Sequence, residues 1–247
     1  MDIKSEVNIE ILYQDDNFIA VNKPSGVIVH PWSECADKVS LMGLVKEITG
    51  RWVYPVHRLD RPVSGVIVFA FSSEFAKTLK ESLESQQTEK IYFGLCKGVV
   101  KEPRIIHYPL KNQSKTKKQE ASTAFWPIIS NEFSSFVKFR ILTGRYHQIR
   151  RHCSAMSHQL IGDTKYGKGK INRYYREHFE LNRLFLHCSG LRLLLPGYDL
   201  LAFSAPLPDE LKLVLERLSF SLPVESSYFD SSVEDLKEYS KKDLLYT

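Results

Sequence analysis

The sequence predicts a mixed α+β fold formed as one domain over residues 1–222, followed by a polar, acidic tail over 223–247. Short β-rich runs alternate with amphipathic stretches at helical spacing, and neither an internal repeat nor a Pro-, Gly- or Ser-rich linker divides the chain. A hydrophobic fraction of 43% over 247 residues is enough for a sizeable buried core.

The elements follow in order. Val7–His30 reads as strand, turn, strand: VNIEILYQ alternates, Asp15-Asp16-Asn17 turns, FIAVNK is β-rich, and Pro24-Ser25-Gly26 turns again before VIVH. Ser40–Thr49 sets Leu41, Leu44, Val45 and Ile48 at helical spacing, with Gly50 as the stop. Val53–Ala70 is an apolar run, a polar corner and a second apolar run over Val66–Ala70. Ser73–Ser85 carries Phe75, Ala76, Leu79 and Leu83 on one helical side. Ile91–Leu95 is a strand that breaks at Gly98. Lys111–Ser122 (KNQSKTKKQEAS) is basic and lacks large apolar residues, as in an exposed loop or a long hairpin tip. Ala124–Ile129 and Phe136–Leu142 read as strands, His147–Met156 as a helix after Gly144, Leu184–Leu195 as a strand and Asp209–Leu218 as a short helix.

Composition narrows the function classes. No apolar run approaches the roughly 20 residues of a membrane-spanning helix, and MDIKSEVNIE lacks the basic-then-apolar order of a secretory signal. A soluble, cytoplasmic protein is expected. Cys35, Cys96, Cys153 and Cys188 are scattered without a C-x-x-C pair, which points to reduced, packed cysteines and away from disulfides or a cysteine zinc site. The net charge of +5 is unevenly spread: Lys97–Arg192 holds 19 basic against 6 acidic residues, whereas the flanks are both net acidic. Such a concentrated field fits a polyanionic partner, although a solvated lysine-rich surface gives part of the same signal.

The corner in VYPVHRLDRPVSGVIVFA gathers His57, Arg58, Asp60 and Arg61 between two β-like runs. Scaffolded loops are where proteins keep catalytic groups, and a carboxylate flanked by cations keeps its charge when partly desolvated. Asp and Pro in a turn also simply bend the backbone. Two further segments carry similar chemistry: Glu89-Lys90-Ile91-Tyr92, and Thr143-Gly144-Arg145-Tyr146-His147-Gln148-Ile149-Arg150-Arg151-His152 with Ile161-Gly162-Asp163 behind it.

In this order the three segments resemble the RluA-type pseudouridine synthases, with H-R-L-D-x-x-[TS]-S-G, then K-x-Y, then T-G-R-x-H-Q-[IL]-R. The resemblance runs from about Ile9 to about Pro206. One position departs: the Thr usual before Ser-Gly is Val63, a change expected to affect packing more than chemistry. The N-terminal S4 domain of many relatives is not expected, because catalytic-type strands begin by Val7.

The resemblance implies the pseudouridine synthase fold, a mixed and mainly antiparallel sheet with flanking helices and a central RNA-binding cleft. It implies isomerisation of a uridine without cofactor or metal. D-R-P after the Asp, R-R-H at Arg150–His152 and the insertion Asn172–His187 point to a subgroup acting on uridine-65 of certain tRNAs, at the base of the T stem. A monomer with tRNA as partner is expected. By the same resemblance Asp60 is the catalytic acid, as nucleophile or as stabiliser of charge at C1′; the sequence does not choose. Arg150 orients that carboxylate, Ile149 packs in the same pocket, and Tyr92 stacks on the uracil and assists proton removal at C5. A phosphate contact is the other reading of Arg150, and a plain core position that of Tyr92. Because a stem base must leave the stack, Arg58 is expected to fill the gap and His57 to stack or touch a phosphate. Arg145 and His147 shape the pocket or grip the backbone. Arg151, with Lys115, Lys117, Lys118, Lys165, Lys168, Lys170, Arg173, Arg176 and Arg183, tracks phosphates. The same chemistry on ribosomal RNA, and a non-catalytic RNA-binding module, are the alternatives.

Overall fold

A computed structural model describes residues 8–31, 39–220, 229–230, 232–234 and 236–238. The elements run β1 (Glu10–Gln14), β2 (Phe18–Lys23), α1 (Leu41–Thr49), β3 (Tyr54–Pro55), β4 (Ser64–Ala70), α2 (Ser73–Glu84), β5 (Glu89–Lys97), β6 (Arg104–His107), β7 (Leu110–Lys111), β8 (Lys118–Gln119), β9 (Ser122–Ser130), β10 (Ser134–Ile141), α3 (Gln148–Ala155), α4 (Gly169–Phe179), β11 (Leu186–Leu193), β12 (Leu201–Ser204) and α5 (Asp209–Arg217). The architecture is α+β, with antiparallel strand ladders and flanking helices, and it divides into two compact units.

The first unit is drawn from residues 1–88 and 188–206. Its strands lie in the order β1-β2-β4-β11, with β3 on β4 and β12 on β11. β4 is buried at all seven positions, so from Val66 to Ala70 its run VIVFA is continuously apolar rather than alternating, as befits a strand covered on both faces. β2 pairs with it from Phe18↔Ala70 to Lys23↔Gly65. Helix α1 is capped by the Ser40 side chain, which accepts from the Gly43 N–H, and closed by Gly50 in the left-handed conformation. Ser72 caps α2 in the same way.

Two expected strands are shortened here. VIVH forms only an isolated bridge at Ile28, because its carbonyls go elsewhere: Ile28 O and Val29 O accept from Leu41 and Met42 N–H at 2.8 and 3.0 Å. The apolar run before the corner keeps only Tyr54–Pro55, pairing with Ala70 and Phe69; Pro55 has no N–H with which to continue a ladder.

The second unit is drawn from residues 89–187 and 207–247. Its antiparallel strands follow the order β5-β10-β9-β6. Ile91, Phe93 and Leu95 on one face of β5 join Phe136, Phe185, Ile161, Tyr175 and the α5 residues Leu211, Val214 and Leu215 in a single core cluster. Each such side chain, fully buried, contributes about 1.5–3 kcal/mol. The basic stretch Lys111–Ser122 folds as a hairpin, with β7 and β8 pairing Leu110↔Gln119 and Lys111↔Lys118. Of the acidic tail, Lys237 O accepts from Ile105 N–H at 3.0 Å; most of residues 221–247 lie outside the described residues.

Candidate active-site residues

The Asp60 corner is held from below by Lys23, the last residue of β2. Lys23 is completely buried, and its Nζ donates to the carbonyls of Pro24, Val27 and Arg61 at 2.9, 2.6 and 3.2 Å. The neighbouring turn is stitched to the same point: Gly26 N–H donates to Arg61 O at 2.8 Å, Arg61 Nε returns a bond to Gly26 O at 2.9 Å, and Ser25 Oγ donates to Pro62 O at 2.9 Å. Val63 N–H closes the turn onto Asp60 O at 3.0 Å. The main chain on either side of Asp60 is thereby pinned, while its side chain stays partly exposed and Arg58 is exposed beside it. Val63 is only 2% exposed, in keeping with a packing role at the position where a threonine is usual.

His57 does structural work at this corner. Its Nε2 accepts from the Val68 N–H at 3.1 Å, capping the edge of β4 just beyond the short β3 pairing. Gly65 sits at φ +114°, and a Cβ there would lie 2.1 Å from Cys188 O, so β4 and β11 approach too closely for any side chain.

In the second unit the Thr143–His152 segment forms a turn and the opening five residues of α3, Gln148–His152. Gln148, buried, organises the turn: its Oε1 accepts from Thr143 Oγ1 and Arg145 N–H at 2.6 and 3.0 Å, and its Nε2 donates to Ser122 O and Thr123 Oγ1, both at 2.9 Å. His147 starts the helix in the left-handed conformation at φ 52°, stacks on Tyr146 with centroids 3.7 Å apart, and hydrogen-bonds Tyr166 Oη through Nδ1 at 3.0 Å. Arg145 Nε donates to Glu120 O at 2.9 Å and Arg151 Nη1 to Lys111 O at 2.7 Å. Both arginines therefore clamp the basic hairpin to this turn.

His152 completes that clamp. It is fully buried, with Nε2 3.0 Å from Tyr108 O and Nδ1 2.9 Å from Thr123 Oγ1. A carbonyl only accepts, so Nε2 carries the proton and Nδ1 accepts from the threonine hydroxyl. Burial pushes the imidazole down to about 4, against the smaller opposing pull of the Tyr108 carbonyl.

Arg150 is 6% exposed and forms a bidentate pair with Asp163: Nε to Oδ2 at 2.8 Å and Nη2 to Oδ1 at 2.9 Å. Asp163 Oδ1 also accepts from the N–H groups of Lys165 and Tyr166 at 2.9 and 3.0 Å. Burial works to raise this carboxyl, but Arg150 and the two backbone donors outweigh it and hold Asp163 below the usual carboxylate range. Asn172 of α4 braces the loop, accepting from Gly162 N–H at 2.9 Å and donating to Asp163 O at 2.8 Å. The Arg150 guanidinium lies 5.2 Å from the Tyr166 ring centre.

The expected site residues thus fall into two groups. His57, Arg58 and Asp60 share the corner of the first unit. Tyr92, Arg145, His147, Ile149, Arg150 and Arg151 belong to the second. Tyr92 is 7% exposed and lies on the face of β5 opposite Ile91 and Phe93, by strand alternation. Ile149 is buried beside Arg150 on α3. Cys96 and Cys153 are buried thiols with sulfurs 4.0 Å apart, and Cys188 is likewise a buried thiol; Cys35 lies outside the described residues.

Residues 17–155 match the profile of the RNA pseudouridylate synthases. The chain is 38% identical to tRNA pseudouridine synthase C of Vibrio cholerae over 210 residues, covering 76% of this chain and 86% of that one. To tRNA pseudouridine synthase C of Haemophilus influenzae it is 36% identical over 210 residues, covering 76% and 88%. The chain belongs to the RNA pseudouridylate synthase family. Its fold is shared with human RNA pseudouridylate synthase domain containing 4, at a TM-score of 0.72 and 24% identity over 87% of this chain and 95% of that one. It is an isomerase of this family, and the corner at Asp60 lies within the matched region, as do Tyr92 and Arg150.

Sequence reasoning missed four residues that build these groups. Lys23 carries no motif signal. Gln148 was legible only as a motif letter, and the Ile161-Gly162-Asp163 string was the one hint toward Asp163. Asn172 sits inside a segment noted only as an insertion.

Proposed function

We propose that the chain is a tRNA pseudouridine synthase that converts uridine-65, at the base of the T stem, to pseudouridine. The observation that carries this reading is a partly exposed Asp60 on a turn whose main chain is pinned by a buried lysine, in a chain 38% identical to an enzyme named for tRNA pseudouridine synthesis. Residues 1–222 act as one catalytic domain, in the cytoplasm and as a monomer.

Asp60 meets the anomeric carbon of the flipped nucleoside. The N1–C1′ bond breaks, the uracil turns over, the C1′–C5 bond forms, and the C5 proton is lost as N1 gains one. The elements of the substrate are all retained, so no donor or redox partner is consumed. Arg150 orients the Asp60 carboxylate, Ile149 walls the pocket, and Tyr92 stacks on the uracil and takes part in proton removal at C5. Arg58 fills the gap in the stack, while His57 supports the corner through its bond to Val68. Arg145, His147 and Arg151 present the RNA-facing turn, and the lysines of the hairpin tip contact phosphates.

Asp60→Asn tests the reading. In a transcript-based assay without added cofactor it abolishes pseudouridine formation and leaves tRNA affinity within about tenfold. Near-normal turnover by that variant would refute the assignment. A panel of tRNA and ribosomal transcripts, mapped nucleotide by nucleotide, checks the substrate and position; modification of a ribosomal transcript alone would refute the tRNA reading.

A further inference from the structure

We propose that Asp163 is a positioning residue for the isomerisation, acting through Arg150, and that Asn172 of α4 extends this control to a helix the reaction does not touch. The inference rests on the reading of Arg150 as the group that orients the catalytic carboxylate.

The geometry is specific. A guanidinium is planar, and once Nε and Nη2 are both tied to one carboxylate the plane and the direction of its remaining edge are fixed. Here both bonds are short, and the two partners are 6% and 1% exposed. The pair is thus shielded from bulk solvent on both sides. The carboxylate is itself immobilised by two backbone N–H groups, from Lys165 and Tyr166. Its main chain is tied to Asn172, which also holds Gly162 N–H. Gly162 has no room for a side chain, since a Cβ would lie 2.0 Å from Arg183 O, and at Gly167 a Cβ would lie 2.3 Å from Asp163 O. The loop is thus locked around the ion pair at both of its glycines. Tyr166 closes the remaining side, with its ring near the Arg150 guanidinium and its hydroxyl on His147.

A surface arginine chosen only to attract phosphate needs none of this. Two of its nitrogens would be spent on an internal acid, and its charge would be largely compensated. The arrangement instead suits a guanidinium whose value lies in its direction. Misplacement of a reacting partner by about 1 Å costs about 100-fold in rate, so a device that fixes this direction acts on the chemical step.

The experiment is a double-mutant cycle read by single-turnover kinetics on a tRNA transcript, with rates expressed per folded molecule. Asp163→Asn is expected to lower the single-turnover rate about 100-fold while tRNA affinity stays within about threefold. Arg150→Met lowers it at least as far, and the two together are no worse than Arg150→Met alone. Should Asp163→Asn prove too unstable to isolate, Asn172→Ala provides a milder version: it leaves the ion pair's atoms in place, loosens the loop, and is expected to lower the rate about tenfold with affinity unchanged. A purely structural role would lower the thermal midpoint and the folded fraction, with the rate per folded molecule unmoved. The proposal is overturned by that result, or by additive losses in the double mutant. If Arg150→Met by itself leaves the rate intact, the assignment of Arg150 fails and the proposal falls with it, while the Asp60 reading stands or falls by its own variant.

Discussion

Lys23→Met is the sharpest test of how the Asp60 corner is built. Methionine keeps the length and apolar stem of the side chain but removes the three N–H groups that reach Pro24, Val27 and Arg61 carbonyls at 2.6–3.2 Å. The Pro24 and Val27 carbonyls, left without this donor, cost about 1–3 kcal/mol each, whereas Arg61 O keeps the Gly26 N–H at 2.8 Å. The ammonium's own burial, a penalty of several kcal/mol, is relieved at the same time. The balance is a net loss of about 1–3 kcal/mol, with no cavity created to confuse the reading. The effect reaches function because one of the three carbonyls belongs to Arg61, the residue after Asp60. A turn loosened at this point, though still tied through Gly26 and Ser25, is expected to slow single-turnover pseudouridine formation by about 10-fold, with tRNA affinity nearly constant. Urea denaturation followed by circular dichroism gives the stability change, and single-turnover assays on the same preparations give the rate. A variant within about 0.5 kcal/mol of the parent and with an unchanged rate would show that Lys23 does not hold the corner.

Three further outcomes follow from the geometry. Gly26→Ala and Gly65→Ala both place a methyl at positive φ, but Gly26 has open space and Gly65 faces Cys188 O at 2.1 Å. The first is expected to cost about 1–2 kcal/mol and the second at least about 4 kcal/mol; equal losses in equilibrium denaturation would contradict the close approach of β4 and β11. His152 titrates at about 4 in the fold against 6.5 when exposed, so the unfolded chain binds more protons between these values. Stability is complete above pH 6.5 and falls as pH drops toward 4, by about 3 kcal/mol in all; denaturation at neutral pH and about two units lower checks it, and His152→Gln should flatten the profile. Replacing Lys115, Lys117 and Lys118 by alanine should reduce the salt dependence of tRNA affinity by up to about 0.9 for each phosphate no longer gripped, and an unchanged slope would remove the hairpin tip from the interface.

Most of the secondary structure was legible because its signals were local. The Ser40 and Gly50 boundaries of α1, the Ser72 boundary of α2 and the apolar run of β4 are capping and burial effects confined to neighbouring residues. Helix α4 was not foreseen: its buried positions are Asn172 and Tyr175, so a polar residue interrupts the apolar stripe, and that residue is there for hydrogen bonds to a loop nine and ten residues away. β6 escaped notice since it is only four residues long, and of the two readings of Lys111–Ser122, loop or hairpin tip, the β7–β8 pairing shows the hairpin. At the candidate site the identities of Asp60, Tyr92 and Arg150 came from motif order, which a sequence displays directly. What holds them was hidden, because the bonds that matter run from Lys23 to Arg61 and from Arg150 to Asp163, residues 38 and 13 apart in the chain. His57 illustrates the difference: its place in the motif points to stacking or a phosphate, and the bond its ring nitrogen accepts from a backbone N–H has no signal in the motif.

The residues that fasten Thr143–His152 to its surroundings bear on protein engineering. Arg145, Gln148, Arg151 and His152 direct their polar heads to main-chain oxygens at Glu120, Ser122, Lys111 and Tyr108. A decapeptide so moored cannot be transplanted by itself: moved to another scaffold without residues 107–123, it would carry every letter of its motif and lose the shape those letters encode.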